Sequence, residues 1–222
     1  MAGSARPISQ IEVGVFMANS KAPAKDKPSP KSALRDQISA ILAKIPPVER
    51  AAASQQIRAR LEKHSIWRRA NSVLFYAPFA AEPDVWQLLD GALALGKVAY
   101  LPRFDTQKEN YIVCQIRDVV HDLEVGQFGI REPRASCPRI SLNRLDLILV
   151  PGIAFDLNGH RLGRGKGYYD RLLAELQGEK CGVAFDQQIV SRVPVEPHDM
   201  RLNCIVTPTR WQSVTGPRAV LK

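Results

Sequence analysis

A glycine-rich basic loop separates a short apolar run from a helical pattern in this chain. Residues 147–150 are all apolar, too few for a helix, and predict a buried strand that Pro151 ends. The loop Gly163-Arg-Gly-Lys-Gly167 follows, and apolar residues then recur at helical spacing over 168–176. A strand, a glycine loop and a helix start in this order are typical of a site that binds phosphate.

The residue types in the loop support that interpretation. Glycine lets backbone N–H groups approach an anion closely, and Arg164 and Lys166 supply positive charge. The alternative is a glycine turn before an ordinary surface helix, which the two cations and the preceding strand disfavour. The spacing of the last glycine excludes the dinucleotide fingerprint, and no Ser or Thr follows Lys166 as a P-loop requires.

Strand and helix patterns alternate through most of the chain. They predict an α/β fold, a mostly parallel open sheet with helices on both faces, as in a Rossmann-like three-layer sandwich. Helices are predicted from residue 30 onward and over residues 48–64, 84–95 and 168–176. Strands are predicted over residues 72–77, 97–102, 111–116, 147–150, 180–186 and 204–207.

The two ends of the chain differ from this pattern. Residues 1–30 predict a disordered tail, because the segment is rich in Pro, Lys and Ala and has no apolar periodicity. Residues 31–222 are predicted to form a single domain. Within that domain, residues 128–133 are predicted as a loop and residues 208–222 as a loose C-terminus.

The composition excludes some classes of protein. Hydrophobic residues make up 45% of the chain, yet no apolar stretch reaches the roughly 18 residues of a membrane span. The four cysteines show no CxxC pairing, so we expect reduced thiols and a cytoplasmic protein. A net charge of +9 suits a small anionic ligand and also permits RNA, although apolar strands disfavour an RNA-binding module. We expect a monomer without nucleic-acid or membrane partners.

A longer stretch around the loop matches a known family. The run from Pro151 to Asp156, with Gly159 and the run from Arg161 to Asp170, closely resembles the signature of the 5-formyltetrahydrofolate cyclo-ligases, also called methenyltetrahydrofolate synthetases. The resemblance implies cyclisation of 5-formyltetrahydrofolate to 5,10-methenyltetrahydrofolate, with ATP and Mg²⁺ required and ADP and phosphate released. The alternative of the same fold is an ATP-binding enzyme without folate activity.

The resemblance also implies which residues form the site. Arg164 and Lys166 are the catalytic candidates, since they can neutralise charge on a transferred phosphoryl group. The ATP-binding candidates are Lys31, Arg35, Arg161, Leu162, Gly163, Arg164, Gly165, Lys166, Gly167, Tyr168 and Tyr169. The substrate-binding candidates are Ala77, Glu82, Phe128 and Tyr168, and the metal candidates are Asp170 and Asp199.

Several of these assignments have a simpler structural alternative. Lys31 and Arg35 are one helical turn apart and could form a solvated basic face. Glu82 could be an exposed acid before a helix, and Asp170 could be a helix cap. Asn203 stands where the family has a second aspartate, which argues against a metal role at that position.

Overall fold

The structure is a computed structural model that describes Met1 and residues 29–140, 145–197 and 199–214. Residues 2–28, most of the predicted tail, lie outside these ranges, as does His198. Among the described residues, no helix is long and apolar enough to cross a membrane.

The described residues form five α-helices, one 3-10 helix at Asp186–Gln188 and twelve short strands. The helices are α1 (Pro30–Ala43), α2 (Pro47–Lys63), α3 (Ser65–Arg69), α4 (Trp86–Ala94) and α5 (Tyr168–Glu175). The strands are β1 (Ser72–Leu74), β2 (Val98–Asp105), β3 (Asn110–Ile116), β4 (Leu123–Val125), β5 (Arg131–Pro133), β6 (Leu147–Val150), β7 (Ala154–Asp156), β8 (Arg161–Leu162), β9 (Glu179–Val183), β10 (Ile189–Val190), β11 (Cys204–Val206) and β12 (Trp211–Ser213).

A seven-stranded sheet forms the centre of the protein, in the order β12-β11-β9-β6-β1-β2-β3. The neighbouring strands from β11 to β2 run parallel, while β12 and β3 are antiparallel edge strands. At the centre of the sheet, Leu74 of β1 pairs with Ile148 of β6 on one side and with Tyr100 of β2 on the other. The predicted α/β fold with a mostly parallel sheet is confirmed.

Alternate residues of the central strands point into two separate cores, as the two-residue period of a strand requires. Leu147 and Leu149 of β6 belong to a core that also contains buried residues of α1, α2, α3 and α4. Ile148 and Val150 belong to a second core with the buried leucines of α5. Helices therefore cover both faces of the sheet, as the apolar run at residues 147–150 indicated.

Two of the predictions for irregular segments are wrong. Within residues 128–133, predicted as a loop, β5 pairs antiparallel with β4. In the predicted loose C-terminus, β12 pairs antiparallel with β11, and the ring of Trp211 stacks on His64 with 3.6 Å between centroids. Strands of three residues are too short to show a hydrophobic alternation, so the sequence pattern did not reveal them.

The topology brings several loops to one edge of the sheet, because parallel strands end on the same side. A small sheet in the order β10-β7-β8 carries the chain from β6 towards the glycine loop. Gln188 holds this region together, since its Nε2 donates to the carbonyl oxygen of Gly152 at 2.7 Å and its Oε1 accepts from the N–H of Phe185 at 2.7 Å. A bond from Arg164 Nη2 to Glu82 Oε1 at 2.8 Å joins the glycine loop to the loop that follows β1.

Candidate active site

A cavity of about 330 Å³ lies at the carboxyl edge of the parallel strands. Its walls come from the loop after β1, the β4–β5 hairpin, the residues that follow β6, and the glycine loop. The candidates that line it are Ala77, Glu82, Phe128, Arg161, Gly163, Arg164, Gly165, Lys166, Gly167, Tyr168, Tyr169 and Asp170. The candidates outside the lining are Lys31, Arg35, Leu162 and Asp199.

The glycine loop leads directly into α5. Gly167 is the N-cap of this helix with φ 68°, and Gly165 has φ 99°, so both need the left-handed backbone that glycine adopts easily. Arg35 of α1 donates from Nε to the carbonyl oxygen of Gly163 at 2.8 Å. Lys166 is exposed, and the described part of the chain gives its side chain no hydrogen bond or ion pair. The loop therefore presents backbone N–H groups and a cation at a helix start.

Arg161 and Asp170 form a largely buried ion pair beside the loop. Arg161 Nη2 donates to Asp170 Oδ1 at 2.6 Å, and Nη1 donates to the carbonyl oxygen of Pro151 at 3.1 Å. The Arg161 side chain is 3% exposed and its guanidinium lies 5.7 Å from the ring centre of Tyr169. Asp170 makes no capping hydrogen bond to α5, so the helix-cap alternative for this residue is wrong.

Glu82 is buried and joins the loop after β1 to the glycine loop. Its Oε1 accepts from Arg164 Nη2 at 2.8 Å and its Oε2 accepts from the N–H of Phe79 at 3.0 Å. The guanidinium of Arg164 also lies 3.9 Å from the ring centre of Phe79. Burial raises the pKa of the Glu82 carboxyl, and the charge of Arg164 opposes that rise. With 6% of its side chain exposed, Glu82 is not the exposed acid of the simpler alternative.

Lys31 is held by two carboxylates next to α1. Its Nζ lies 2.7 Å from Asp199 Oδ2 and 3.1 Å from Glu196 Oε2. Burial lowers the pKa of Lys31, but hydrogen bonds to Asp199 and Glu196 outweigh that effect and the pKa is raised. Only 17% of the Lys31 side chain is exposed, so it is not part of a solvated basic face. Lys31 therefore contacts the segment that contains Glu196 and Asp199, while Arg35, one turn further along α1, contacts the glycine loop.

Aromatic side chains line part of the cavity, and Phe104 packs against two of them. Phe104 packs against Phe128 and Tyr168, with ring centres 5.0 and 4.9 Å apart. Tyr111 packs edge-on against Tyr168 at 6.1 Å and against Tyr169 at 5.5 Å. Burial, followed by the nearby carboxyl groups of Glu132 and Glu82, raises the pKa of Tyr111 to about 12, so this phenol is neutral at physiological pH. The aromatic side chains suit a flat ligand.

The chain that forms this glycine loop and this acidic, aromatic pocket is similar in sequence to a family of known proteins. Residues 27–208 match the model of the 5-formyltetrahydrofolate cyclo-ligase family. The chain belongs to this family. The cyclo-ligase of Mycolicibacterium smegmatis is 33% identical over 188 residues, which cover 82% of this chain and 96% of that protein. The cyclo-ligase of Escherichia coli strain K12 is 31% identical over 171 residues, which cover 75% of this chain and 94% of that protein.

A solved structure agrees with the sequence relatives. The NMR structure of Aquifex aeolicus 5,10-methenyltetrahydrofolate synthetase has a TM-score of 0.76 to this chain at 32% identity. The match covers 86% of this chain and 96% of that chain. Family, relatives and fold therefore agree that the protein is an enzyme of the cyclo-ligase type.

Leu162, from the cyclo-ligase signature, and Asn203, where the family has an aspartate, both lie outside the lining of the cavity. Leu162 is 1% exposed in the core, and its carbonyl oxygen accepts from the N–H of Ile153 at 2.8 Å. Asn203 Oδ1 accepts from the N–H of Lys180 at 2.8 Å. Lys180 is near the start of β9, so Asn203 lies at the edge of the sheet opposite the cavity. Asn203 holds two strands in register there and is placed to contact neither the loop nor a metal beside it.

Asp170 and Asp199 are the carboxylates that were predicted to bind a metal such as Mg²⁺. The described residues contain no group of three or more His, Cys, Asp or Glu side chains that could hold a metal ion. Asp170 and Asp199 each accept from a cationic side chain. Magnesium in nucleotide sites commonly uses one or two carboxylates and takes its other ligands from phosphates and water. The residues thus fit an ion that arrives with phosphate, and they do not form an all-protein site.

Three buried polar atoms in the cavity wall have no hydrogen-bond partner among the described residues: Arg161 Nε, Tyr169 Oη and Glu132 Oε1. The sequence reasoning named Arg161 and Tyr169 but missed Glu132. A signal was present in the sequence, because Glu132 is the acid of the run Gly129-Ile-Arg-Glu-Pro133, which is similar to a short Gly-Ile-x-Glu-Pro segment of the cyclo-ligases. Buried polar groups are normally satisfied, so these atoms indicate where a ligand donates or accepts.

Proposed function

We propose that this chain is an ATP-dependent 5-formyltetrahydrofolate cyclo-ligase that forms 5,10-methenyltetrahydrofolate, ADP and phosphate. One observation supports this above the others: a single cavity is lined both by the glycine loop and by Glu82 with aromatic side chains. Transfer of a phosphoryl group from ATP to a folate requires both substrates in one place and in a fixed orientation.

We assign the phosphates of ATP to the glycine loop. Backbone N–H groups at the start of α5 and the positive end of its dipole favour an anion there. Arg164 and Lys166 neutralise charge on the transferred group. Arg35 approaches the loop through its bond to Gly163, and Lys31 lies one turn away on α1. Leu162 would contribute through its backbone, since its side chain is in the core.

Asp170 and Asp199 are the residues that would hold Mg²⁺. When bound, such an ion would supply positive charge to neutralise the phosphates of ATP. The bond from Arg161 fixes the Asp170 carboxylate, and the bond from Lys31 fixes that of Asp199. Charge-assisted bonds of this kind position both carboxylates before a nucleotide arrives.

We assign the folate to the other walls of the cavity. The rings of Phe128 and Tyr168 offer flat surfaces for a pterin, and Ala77 leaves room beside them. Glu82 would accept hydrogen bonds from the N–H-rich edge of the pterin. Because Glu82 already bonds to Arg164, a folate there must share or replace that contact, which couples the two halves of the site.

The proposed reaction has two steps, transfer of a phosphoryl group from ATP to the formyl oxygen and closure of the folate ring. The formyl oxygen attacks the γ-phosphorus of ATP, and ADP leaves with the electrons of the broken P–O bond. The N10 amine attacks the activated formyl carbon and loses its proton, and phosphate leaves with the former formyl oxygen. No covalent bond to the chain is needed, so the residues act by orienting the two substrates and stabilising charge.

Conversion of 5-formyltetrahydrofolate by the purified chain tests the proposal. The absorbance of the methenyl product should rise only when ATP and Mg²⁺ are both present. ATP binding without product would instead favour the same-fold enzyme without folate activity. The monomeric state, the cytoplasmic location, the lack of nucleic-acid and membrane partners and the single domain from residue 31 stay predictions.

A further inference from the structure

Glu132 of β5 places a buried carboxyl group in the wall of the cavity. The residue is 4% exposed. Its Oε2 accepts from the N–H of Phe104 at 3.2 Å, whereas its Oε1 is buried without a partner among the described residues. An unpaired polar atom in such a place lowers stability, and Oε1 therefore marks a contact that a ligand can complete.

Gly126 leaves space for the carboxyl group of Glu132. A Cβ atom on Gly126 would lie 2.4 Å from Cδ of Glu132, so no larger residue at 126 is compatible with this position. Gly126 donates its N–H to Ile130 and accepts from Gly129, which fixes the turn between β4 and β5. The carboxyl group of Glu132 therefore occupies space that the absence of a side chain at Gly126 leaves open.

Glu132 differs from Glu82, the other buried acid in the cavity. Both oxygens of Glu82 accept a hydrogen bond, from Arg164 and from the N–H of Phe79. Glu132 bonds to no cationic side chain in the described structure, although the charge of Arg103 acts on it from a distance. Of the two acids, Glu132 is the one with a carboxyl oxygen that accepts no hydrogen bond from the described residues.

The chemistry of the phosphates and of the folate indicates which of them Glu132 recognises. Phosphate groups at physiological pH carry no N–H donors and would be repelled by a carboxylate. The pterin ring and the N10 amine of a reduced folate carry several N–H groups, and the aromatic side chains that line the same cavity as Glu132 suit that ring. We infer that Glu132 Oε1 accepts a hydrogen bond from an N–H group of the bound reduced folate. This inference rests on the proposed function.

The variant Glu132→Gln tests the inference because it reverses the polarity of one atom at constant shape. The amide oxygen can still accept from Phe104, which leaves the NH₂ group facing an N–H donor of the folate. We expect binding of 5-formyltetrahydrofolate, measured without ATP, to weaken about 10- to 100-fold. Binding of a non-hydrolysable ATP analogue should stay within about twofold, since its phosphates contact other residues.

Further variants separate a role in binding from a role in folding. Gly126→Ala should also weaken folate binding, because the new methyl group displaces Glu132 without changing its chemistry. Glu132→Asp should recover part of the affinity, since it restores an acceptor. Glu124→Gln is the matched control: Glu124 pairs with Glu132 across the hairpin, is 44% exposed at its side chain and should bind as the wild type does.

The outcomes are distinct. Wild-type folate affinity in a folded Glu132→Gln protein overturns the inference and leaves the proposed function intact. Equal losses for the folate and the ATP analogue also overturn it, because they show a general distortion. If Glu132→Gln does not fold, wild-type folate affinity in Gly126→Ala decides against it. A wild-type chain that does not bind 5-formyltetrahydrofolate refutes the proposed function itself.

Discussion

Replacement of Lys166 by alanine should remove most of the turnover and leave the fold unchanged. Lys166 is exposed and has no side-chain partner in the described structure, so its removal should alter the free energy of unfolding by about 0.5 kcal/mol or less. A contact that neutralises charge in the transition state of phosphoryl transfer contributes about 3 kcal/mol. That free energy corresponds to a roughly 100-fold lower turnover number.

The neighbouring cation Arg164 should behave differently. Its removal leaves the Glu82 carboxylate, 6% exposed at its side chain, with the N–H of Phe79 as its remaining hydrogen-bond donor among the described residues. Breaking a fully buried pair costs about 3–5 kcal/mol, but Arg164 is 47% exposed, so we expect about 1–2 kcal/mol. Arg164→Ala should therefore lower both the melting temperature and the turnover, whereas Lys166→Ala lowers the turnover alone.

The assay combines thermal unfolding with the rate of methenyl product formation at saturating ATP and folate. Lys44→Ala is the matched control, since Lys44 is an exposed lysine at the end of α1. Wild-type turnover in Lys166→Ala would show that this residue is merely on the surface. An equal loss of turnover in Lys44→Ala would show that overall charge matters and the loop does not.

Three further predictions follow from the site. Gly165→Val should raise the Michaelis constant for ATP at least about tenfold, because the φ angle of Gly165 is 99° and a Cβ atom there would lie 3.4 Å from the guanidinium of Arg35. An unchanged Michaelis constant for ATP would contradict the assignment of the phosphates to the glycine loop. Glu82→Ala should raise the Michaelis constant for the folate more than that for ATP, and the double variant Lys31→Ala/Arg35→Ala should do the reverse; equal effects on both substrates would refute the division of the site. Burial raises the pKa of Glu132 above its usual 4.5, so its contribution to stability is present below pH 4.5 and is lost as the pH rises through the folded-state pKa. In chemical denaturation, the wild type should lose stability relative to Glu132→Gln over that pH interval. A difference in stability that does not change with pH would show that Glu132 does not titrate there, because the N–H of Phe104 and the charge of Arg103 stabilise its ionised form.

The sequence was sufficient to predict six of the seven strands of the central sheet, all except β12. The apolar run at residues 147–150 is buried on both sides, and such runs are typical of parallel strands between helices. The helical spacing of leucines in α5 likewise follows from their burial against the sheet. The short strands β4, β5 and β12 were not predictable, because their pairing depends on residues distant in sequence or on contacts such as that of Trp211 with His64.

The site was predictable as a set of residues but not as a set of contacts. The glycine spacing and the cations of the loop marked a phosphate site, and residue types alone carried that information. The bond between Glu82 and Arg164 joins residues 82 positions apart, and that between Lys31 and Asp199 joins residues 168 apart. No local pattern encodes such pairs. The local run around Glu132 was a signal, but its bond to the N–H of Phe104 joins residues 28 positions apart, so the sequence did not show that its carboxyl group is buried in the cavity wall.

The fate of the formyl oxygen tests the central claim most directly. In the proposed reaction this oxygen attacks ATP and leaves as part of the released phosphate. A folate labelled with oxygen-18 in its formyl group should therefore give inorganic phosphate that carries one labelled oxygen per methenyl product, detected by mass spectrometry. Methenyl product formed with unlabelled phosphate would show that the formyl oxygen leaves by another route and that the chain does not transfer a phosphoryl group to the folate.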